Sequence, residues 1–388
     1  MNNIDKIGKH WETLSDEVLE LRKEIHKWPE LGHAEYATAA KLMDFLLRHS
    51  VPVSCVGKTG LSAFIDAGRE HTVALRVDID ALPIEEKTGA VFASEHKGYM
   101  HACGHDAHAS IGAAIAVIAQ EMKKSLPVNL KVIFQPAEEC SPEGGAQELI
   151  AEGVLDAPYV DEIIGFHVWP DYPLGEIGVR PGPIMAASDR IKLDLWGVGT
   201  HAAQPHKGID AILMMTTLIQ AIYRDLPRQV DPFAWYVMSF GKLEAGTRYN
   251  VICDHASAEG TLRTFDKTLR EDLHNNLSQL AKSIAAQYGG KANVEIVRGY
   301  DSVHNDSGLT GKFIEHAQHL LGKEAVHIND FPSLIGEDFS AYGRVRPSLY
   351  FHLGCGCKHS LHSDHFLVDE RALAIAVELI MSFLLKYQ

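Results

Sequence analysis

Between Pro181-Gly182-Pro183 and Tyr300 the chain spells out strand, helix, strand, strand, helix, strand, and few folds accept that order. Apolar patterning predicts strands over 191–196, 235–241, 256–264 and 293–299, with helices over 210–223 and 269–288. A βαββαβ order is the split-βαβ, ferredoxin-like unit, complete in itself. Helices and strands alternate on both sides of it. Leu14, Val18, Leu21 and Ile25 recur at helical spacing ahead of Pro29, strands are predicted over 61–67, 71–78, 130–134 and 162–166, and helices over 107–122, near 145–152 and over 370–386. The expected fold class is therefore α/β, with 1–183 and 300–388 forming one larger domain and 184–299 a ferredoxin-like domain inserted into it.

Composition excludes several functions. Of 388 residues 46% are hydrophobic and 22% charged, the balance of a folded globular chain and not of a disordered one. Thirty-six Lys and Arg against fifty-one Asp and Glu give a net charge of −15, which argues against nucleic acid or an anionic membrane as partner. No apolar run nears the ~20 residues of a spanning helix, the longest being 111–119. Residues 1–16 lack the apolar stretch of a secretory signal, so a cytoplasmic location is expected. In that compartment six cysteines point to metal or catalytic use more than to disulfides.

Twenty-two histidines say more, because many stand beside Gly, Asp or Cys. In His101-Ala-Cys-Gly-His-Asp-Ala-His108, Cys103 and His105 are two apart, which in an extended segment puts both on one face, ready for one metal. Asp106 would stand at a helix start, to cap it or to orient an imidazole. Gln135-Pro-Ala-Glu-Glu139 follows an apolar strand, and on an extended chain Glu138 and Glu139 would face opposite ways, one for metal and one for water. His167 ends a third strand. Asp78 and Asp80, in Arg76-Val-Asp-Ile-Asp80, share a face and can ligate, orient or cap. His359, His362 and His365 with Cys355 and Cys357 form a second possible metal locus. Gly197-Val-Gly-Thr-His-Ala202 fits a dinucleotide turn, but a helix follows where a second strand ending in an acidic residue belongs, which argues against nucleotide binding.

Arg22…His26-x-x-Pro29-Glu30-Leu31, Arg76-x-Asp-x-Asp-Ala-Leu-Pro-Ile84, His-Ala-Cys-Gly-His-Asp106, Gln-Pro-Ala-Glu-Glu139, Gly-Phe-His167 and Thr-His-Ala-Ala-x-Pro-His206, taken in order, resemble the M20 metallopeptidase family. Within it the chain is most similar to the amidohydrolases of N-acyl amino acids, such as hippurate and N-acetyl-diaminopimelate hydrolases. The resemblance implies a catalytic α/β domain in two segments with an inserted lid that also dimerises, hence a homodimer or higher homo-oligomer. It implies two divalent ions per subunit, zinc or manganese with cobalt or nickel as further options, on Cys103, His105, Glu139, His167 and His362. It gives the general base to Glu138, oxyanion stabilisation to His201, the substrate carboxylate to Asn250 and Arg263, and supporting roles to Asp80 and Asp106. Asp364 stands where the family usually has Pro, which leaves His365 as the alternative to His362, and Cys140 replaces a small residue after the Glu pair. Two other readings stay open: a metal-free cysteine amidase using Cys103 and His105, and a non-catalytic amino-acid-binding homologue.

Overall fold

The computed structural model describes residues 3–387. They form two compact units, one made of the chain up to Ile184 with Val303–Pro332 and Asp338 onward, the other of Met185–Ser302 with Ser333–Glu337.

The first unit is built on an eight-stranded mixed sheet, ordered Val53–Val56, Gly60–Ile65, Asn129–Gln135, Thr72–Asp78, Glu162–Trp169, Ser348–Gly354, Ile177–Val179 and Val326–Ile328. Its four central strands run parallel. Nearly every residue in them is buried, as expected of strands covered on both faces. The helix His105–Glu121 packs on this centre and is itself wrapped by Asn3–Lys27 and Arg371–Leu385. Its alanine-rich sequence explains the depth: residues 105–119 are all buried, and small side chains let neighbouring backbones close in on every side. Tyr36–Arg48 is a helix that the sequence reading passed over.

The second unit is an antiparallel sheet ordered Tyr236–Ala245, His255–Thr264, Ala187–Trp196, Lys291–Arg298, with the helices Ala211–Asp225 and Lys267–Tyr288 packed against it around one apolar core. Asp210 and Asp266 cap the two helices by accepting from backbone N–H groups of their first turns. Among the described residues, no helix is long and apolar enough to cross a membrane.

Candidate active site

The carboxyl ends of the parallel strands lie at one edge of the first unit's sheet, where α/β folds gather their ligands. Asp78 and Gln135 pair in register at that edge, and His167 pairs with His352. The loops leaving these strands carry Asp80, the Glu138–Glu139 pair and His362, while Cys103 and His105 flank the start of the central helix.

Cys103 and His105 are not a same-face pair on an extended segment. Gly104 between them is left-handed, with φ of 85°, and His105 opens the helix. A Cβ at Gly104 would lie 2.6 Å from Val168 Cγ2, so the close approach needs glycine. The turn still brings the donors together: ligand atoms of Cys103, His105 and His167 all lie within 4.8 Å of one another, and Cys103 Sγ is 3.2 Å from His167 Nε2. The Glu pair is corrected likewise. Beyond Gln135 the chain turns, and carboxylate oxygens of Glu138 and Glu139 converge with His105 within 4.8 Å instead of facing apart. His362, left-handed at φ of 63°, joins Cys103 and Glu139 in a third group of the same size. His365 pairs with Asp364 instead, and among the described residues no metal-sized group forms from His359, His365, Cys355 and Cys357.

Hydrogen bonds fix which nitrogens are available. His105 Nδ1 donates to Asp80, 2.9 Å from its carbonyl and 3.0 Å from Oδ1, and His167 Nδ1 donates to the Val168 carbonyl at 2.6 Å. Both Nε2 atoms therefore turn inward, and that of His105 is buried without a partner. Asp80 Oδ2 also accepts from the Glu139 N–H at 2.9 Å, so one carboxylate orients two of the converging residues. Glu139 Oε1 is buried and lies 3.1 Å from His362 Nε2. Imidazole nitrogens, a thiol and carboxylate oxygens gathered in overlapping groups, each within 4.8 Å, fit a divalent cation.

The electrostatics agree. Burial pulls the His105 pKa down, but Asp78, Asp80 and Glu139 outweigh it and raise it to about 10, so these surroundings favour a positive charge at that point. Burial, then Glu139 and Glu138, push the Cys103 thiol well above its usual range. This is the opposite of what a nucleophilic thiolate needs, and it removes the support for a metal-free cysteine amidase. Burial would raise Glu139, yet His362 and His105 hold it below the ordinary carboxylate range.

Asp106 does not orient a converging imidazole. It accepts from Arg22 Nε and His26 Nδ1, each at 3.0 Å, and ties the N-terminal helix to the central one. The sequence reading missed His108, one helical turn after His105. Its Nδ1 lies 2.6 Å from Asp78 Oδ1 and its Nε2 accepts from the Val168 N–H at 2.9 Å. Arg76 continues the chain of bonds, from Asp78 Oδ2 at 2.7 Å to Asp338 Oδ1 at 2.8 Å. Asp338 in turn accepts from Gln135 Nε2, Gly145 N and Ala146 N, holding both ends of the Glu loop. The i,i+3 spacing of His105 and His108 could have pointed to the first of these; nothing local points to Asp338.

His201, Asn250 and Arg263 belong to the second unit. His201 is exposed on the short strand Thr200–His201, paired with Val251–Ile252, and the Ala202 N–H donates to the Asn250 carbonyl at 3.1 Å. The Asn250 Oδ1 atom is buried without a partner. Arg263 is half-buried on His255–Thr264, and burial lowers its pKa.

A parallel α/β edge carrying a Cys, His and Glu donor set beside a buried carboxylate is a setting for metal-assisted hydrolysis. Residues 74–386 match Peptidase family M20/M25/M40, and the chain belongs to that family. It is 38% identical over 363 residues to an N-acetyl-L-cysteine deacetylase of Bacillus subtilis, covering 93% of this chain and 86% of that one. It is 33% identical over 382 residues to an N-acetyldiaminopimelate deacetylase of Bacillus velezensis, covering 96% and 99%. Among solved structures, a Bacillus subtilis dinuclear metal-binding peptidase of the M20 family superposes with a TM-score of 0.84 at 32% identity, covering 96% of this chain and 98% of that one.

Proposed function

We propose that the protein hydrolyses the amide bond of N-acyl amino acids, such as N-acetyl or N-benzoyl ones, consuming one water and releasing a carboxylic acid and a free amino acid. The observation that carries the reading is the convergence of ligand atoms of Cys103, His105, Glu139, His167 and His362 in overlapping groups, with His105 Nε2 and Glu139 Oε1 buried without a hydrogen-bond partner. These five would hold two divalent ions. Thiolate and imidazole suit zinc, carboxylate also suits manganese, and cobalt or nickel are compatible. Such ions, when bound, polarise the amide oxygen and make an attacking water more acidic.

The rest falls to the chain's own groups. Glu138, buried beside Glu139, takes the proton of the attacking water and gives it to the leaving nitrogen. Asp80 keeps His105 and Glu139 in register. We read the second unit as a ferredoxin-like lid that also dimerises, supported by its strand order and two packed helices. On it His201 would stabilise the oxyanion, while Arg263 with Asn250 would grip the free carboxylate in two parallel hydrogen bonds. A cytoplasmic location belongs to the same reading, because Cys103 must stay a free thiol, as all six cysteines are here.

The test is a panel of N-acetyl, N-benzoyl and longer N-acyl amino acids, with chelator and then added zinc or manganese. Turnover should vanish with chelator and return with metal. Glu138→Gln should keep its metal and lose about 10²–10⁴-fold in kcat; wild-type turnover in that variant would remove Glu138 from its role.

A further inference from the structure

The turn that presents the Glu pair is one its own backbone resists. Ala137, just before Glu138, has φ of 58°, in the left-handed region that side chains other than glycine rarely occupy. Such a conformation persists only where the surroundings impose it. Three buried carboxylates grip this loop: Asp80 holds the Glu139 N–H, Asp338 holds the far end at Gly145 and Ala146, and Glu35 holds the strained residue itself. Glu35 Oε1 accepts the Ala137 N–H at 2.8 Å, and its Oε2 accepts from Thr59 Oγ1 at 2.7 Å. The side chain is fully buried, although it comes 102 residues earlier, immediately before the helix Tyr36–Arg48. Gly32 completes the fit. A Cβ there would lie 2.3 Å from Cys140 Sγ and 3.0 Å from Ala137 Cα, so the absence of a side chain lets the loop carrying Glu35 press against the turn.

We propose that Glu35 is a positioning residue for the hydrolysis: by holding the Ala137 N–H it keeps the turn in the left-handed form that aims Glu138 and Glu139 at the same place as His105. The inference rests on the roles given above to Glu138 and Glu139. It predicts that Glu35 acts on turnover and not on substrate affinity, since it touches no group that would meet substrate.

The experiment uses the full-length, metal-loaded enzyme and a substrate identified by the panel, with rates expressed per folded molecule. Glu35→Ala should lose on the order of 10–100-fold in kcat, the scale of a misplaced reacting group, with KM within about threefold of wild type. Glu35→Gln keeps an oxygen for the Ala137 N–H and an amide for Thr59, and should stay within about threefold in kcat. A purely structural role would lower thermal stability without the decisive result, which is rescue. Glycine adopts positive φ at little cost, so adding Ala137→Gly to Glu35→Ala should restore most of the lost kcat. A Glu35→Ala enzyme with wild-type kcat, or a double variant no faster than the single one, would overturn the proposal. Should Glu35→Ala not fold, Glu35→Asp replaces it, one methylene too short to span Thr59 and Ala137; unchanged kcat there is equally fatal. Glu138→Gln measured alongside separates the two levels. If it is fully active the functional reading fails, whereas an inactive Glu138→Gln beside a fully active Glu35→Ala sinks the role of Glu35 alone.

Discussion

Each unit of this chain contains a buried aspartate held by an arginine and a histidine spaced four residues apart on one helix. In the first unit Arg22 and His26, on Asn3–Lys27, reach Asp106 at 3.0 Å each. In the second, Arg270 Nε and His274 Nε2, on Lys267–Tyr288, reach Asp189 at 2.8 and 2.7 Å, Arg270 Nη2 bonds its other oxygen, and the Gly299 N–H adds a fourth bond at 3.2 Å. The spacing places both donors on one helix face, so one carboxylate can accept from both. In each case burial would raise the carboxyl pKa, and the cations more than reverse it: Asp106 sits well below its usual range and Asp189 near 2. What differs is the neighbour. Asp106 follows His105 directly in the chain, so its clasp also sets the start of the helix that carries one of the converging imidazoles. Asp189 adjoins no such group within its unit. A buried Asp–Arg–His cluster is thus a way to lock a helix to its surroundings, and it bears on chemistry only where the locked backbone carries a ligand.

The largest test of that contrast replaces each aspartate. Asp106→Asn and Asp189→Asn both strand buried cations, and each should cost about 3–5 kcal/mol in denaturant unfolding. They should part on metal. Among folded molecules Asp106→Asn should bind zinc several-fold more weakly, because the start of the helix that carries His105 is no longer clasped, while Asp189→Asn binds as wild type. Equal loss of zinc affinity in the two variants, by isothermal titration, would erase the distinction.

The contrast also marks what the sequence could tell. Helix and strand periodicity located most elements of both units, because burial patterns are written in local spacing. Local geometry was less legible: the shared face expected for Cys103 and His105 gave way to a left-handed Gly104, and the opposed Glu pair to a turn strained at Ala137. Both turns are imposed by packing against Val168 and by Glu35, contacts made by residues far away in the chain. Family resemblance named the five converging side chains, since motif order survives without geometry. Asp106, whose place at a helix start suggests a cap or a support for a nearby imidazole, accepts from Arg22 and His26; Asp189 has no local mark, since it and Arg270 stand 81 positions apart.

Alkali should act on the first clasp. Burial pulls the His26 pKa down, but Asp106 and Glu86 outweigh it and carry it to about 9, above the 6.5 of an unfolded histidine. Its contribution, on the order of 2–3 kcal/mol, is therefore complete below about pH 6.5 and fades as pH rises through about 9. Urea unfolding of wild type and His26→Gln across pH 6 to 10, read by hydrogen-exchange pulses at fixed pH on peptides from residues 3–27, should show the two converging towards pH 10. A constant gap would mean that the imidazolium adds nothing to this clasp.

Acid should act on the second, and more weakly. The folded Asp189 pKa of about 2 lies below the 3.8 of an unfolded aspartate, so its stabilisation is full above about pH 4 and is lost as pH falls through about 2. With solvent screening counted, this is worth on the order of 1–2 kcal/mol. The advantage of wild type over Asp189→Asn, read on peptides from 267–288, should shrink by that amount between pH 5 and pH 2. Asp106 is likewise held below its ordinary range against the effect of burial by Arg22 and His26, so the wild-type advantage over Asp106→Asn, read on residues 3–27, should also shrink as pH falls below about 4. A wild-type advantage over Asp189→Asn that stays constant from pH 5 to pH 2 would mean that Arg270 and His274 do not hold this aspartate in its ionised form.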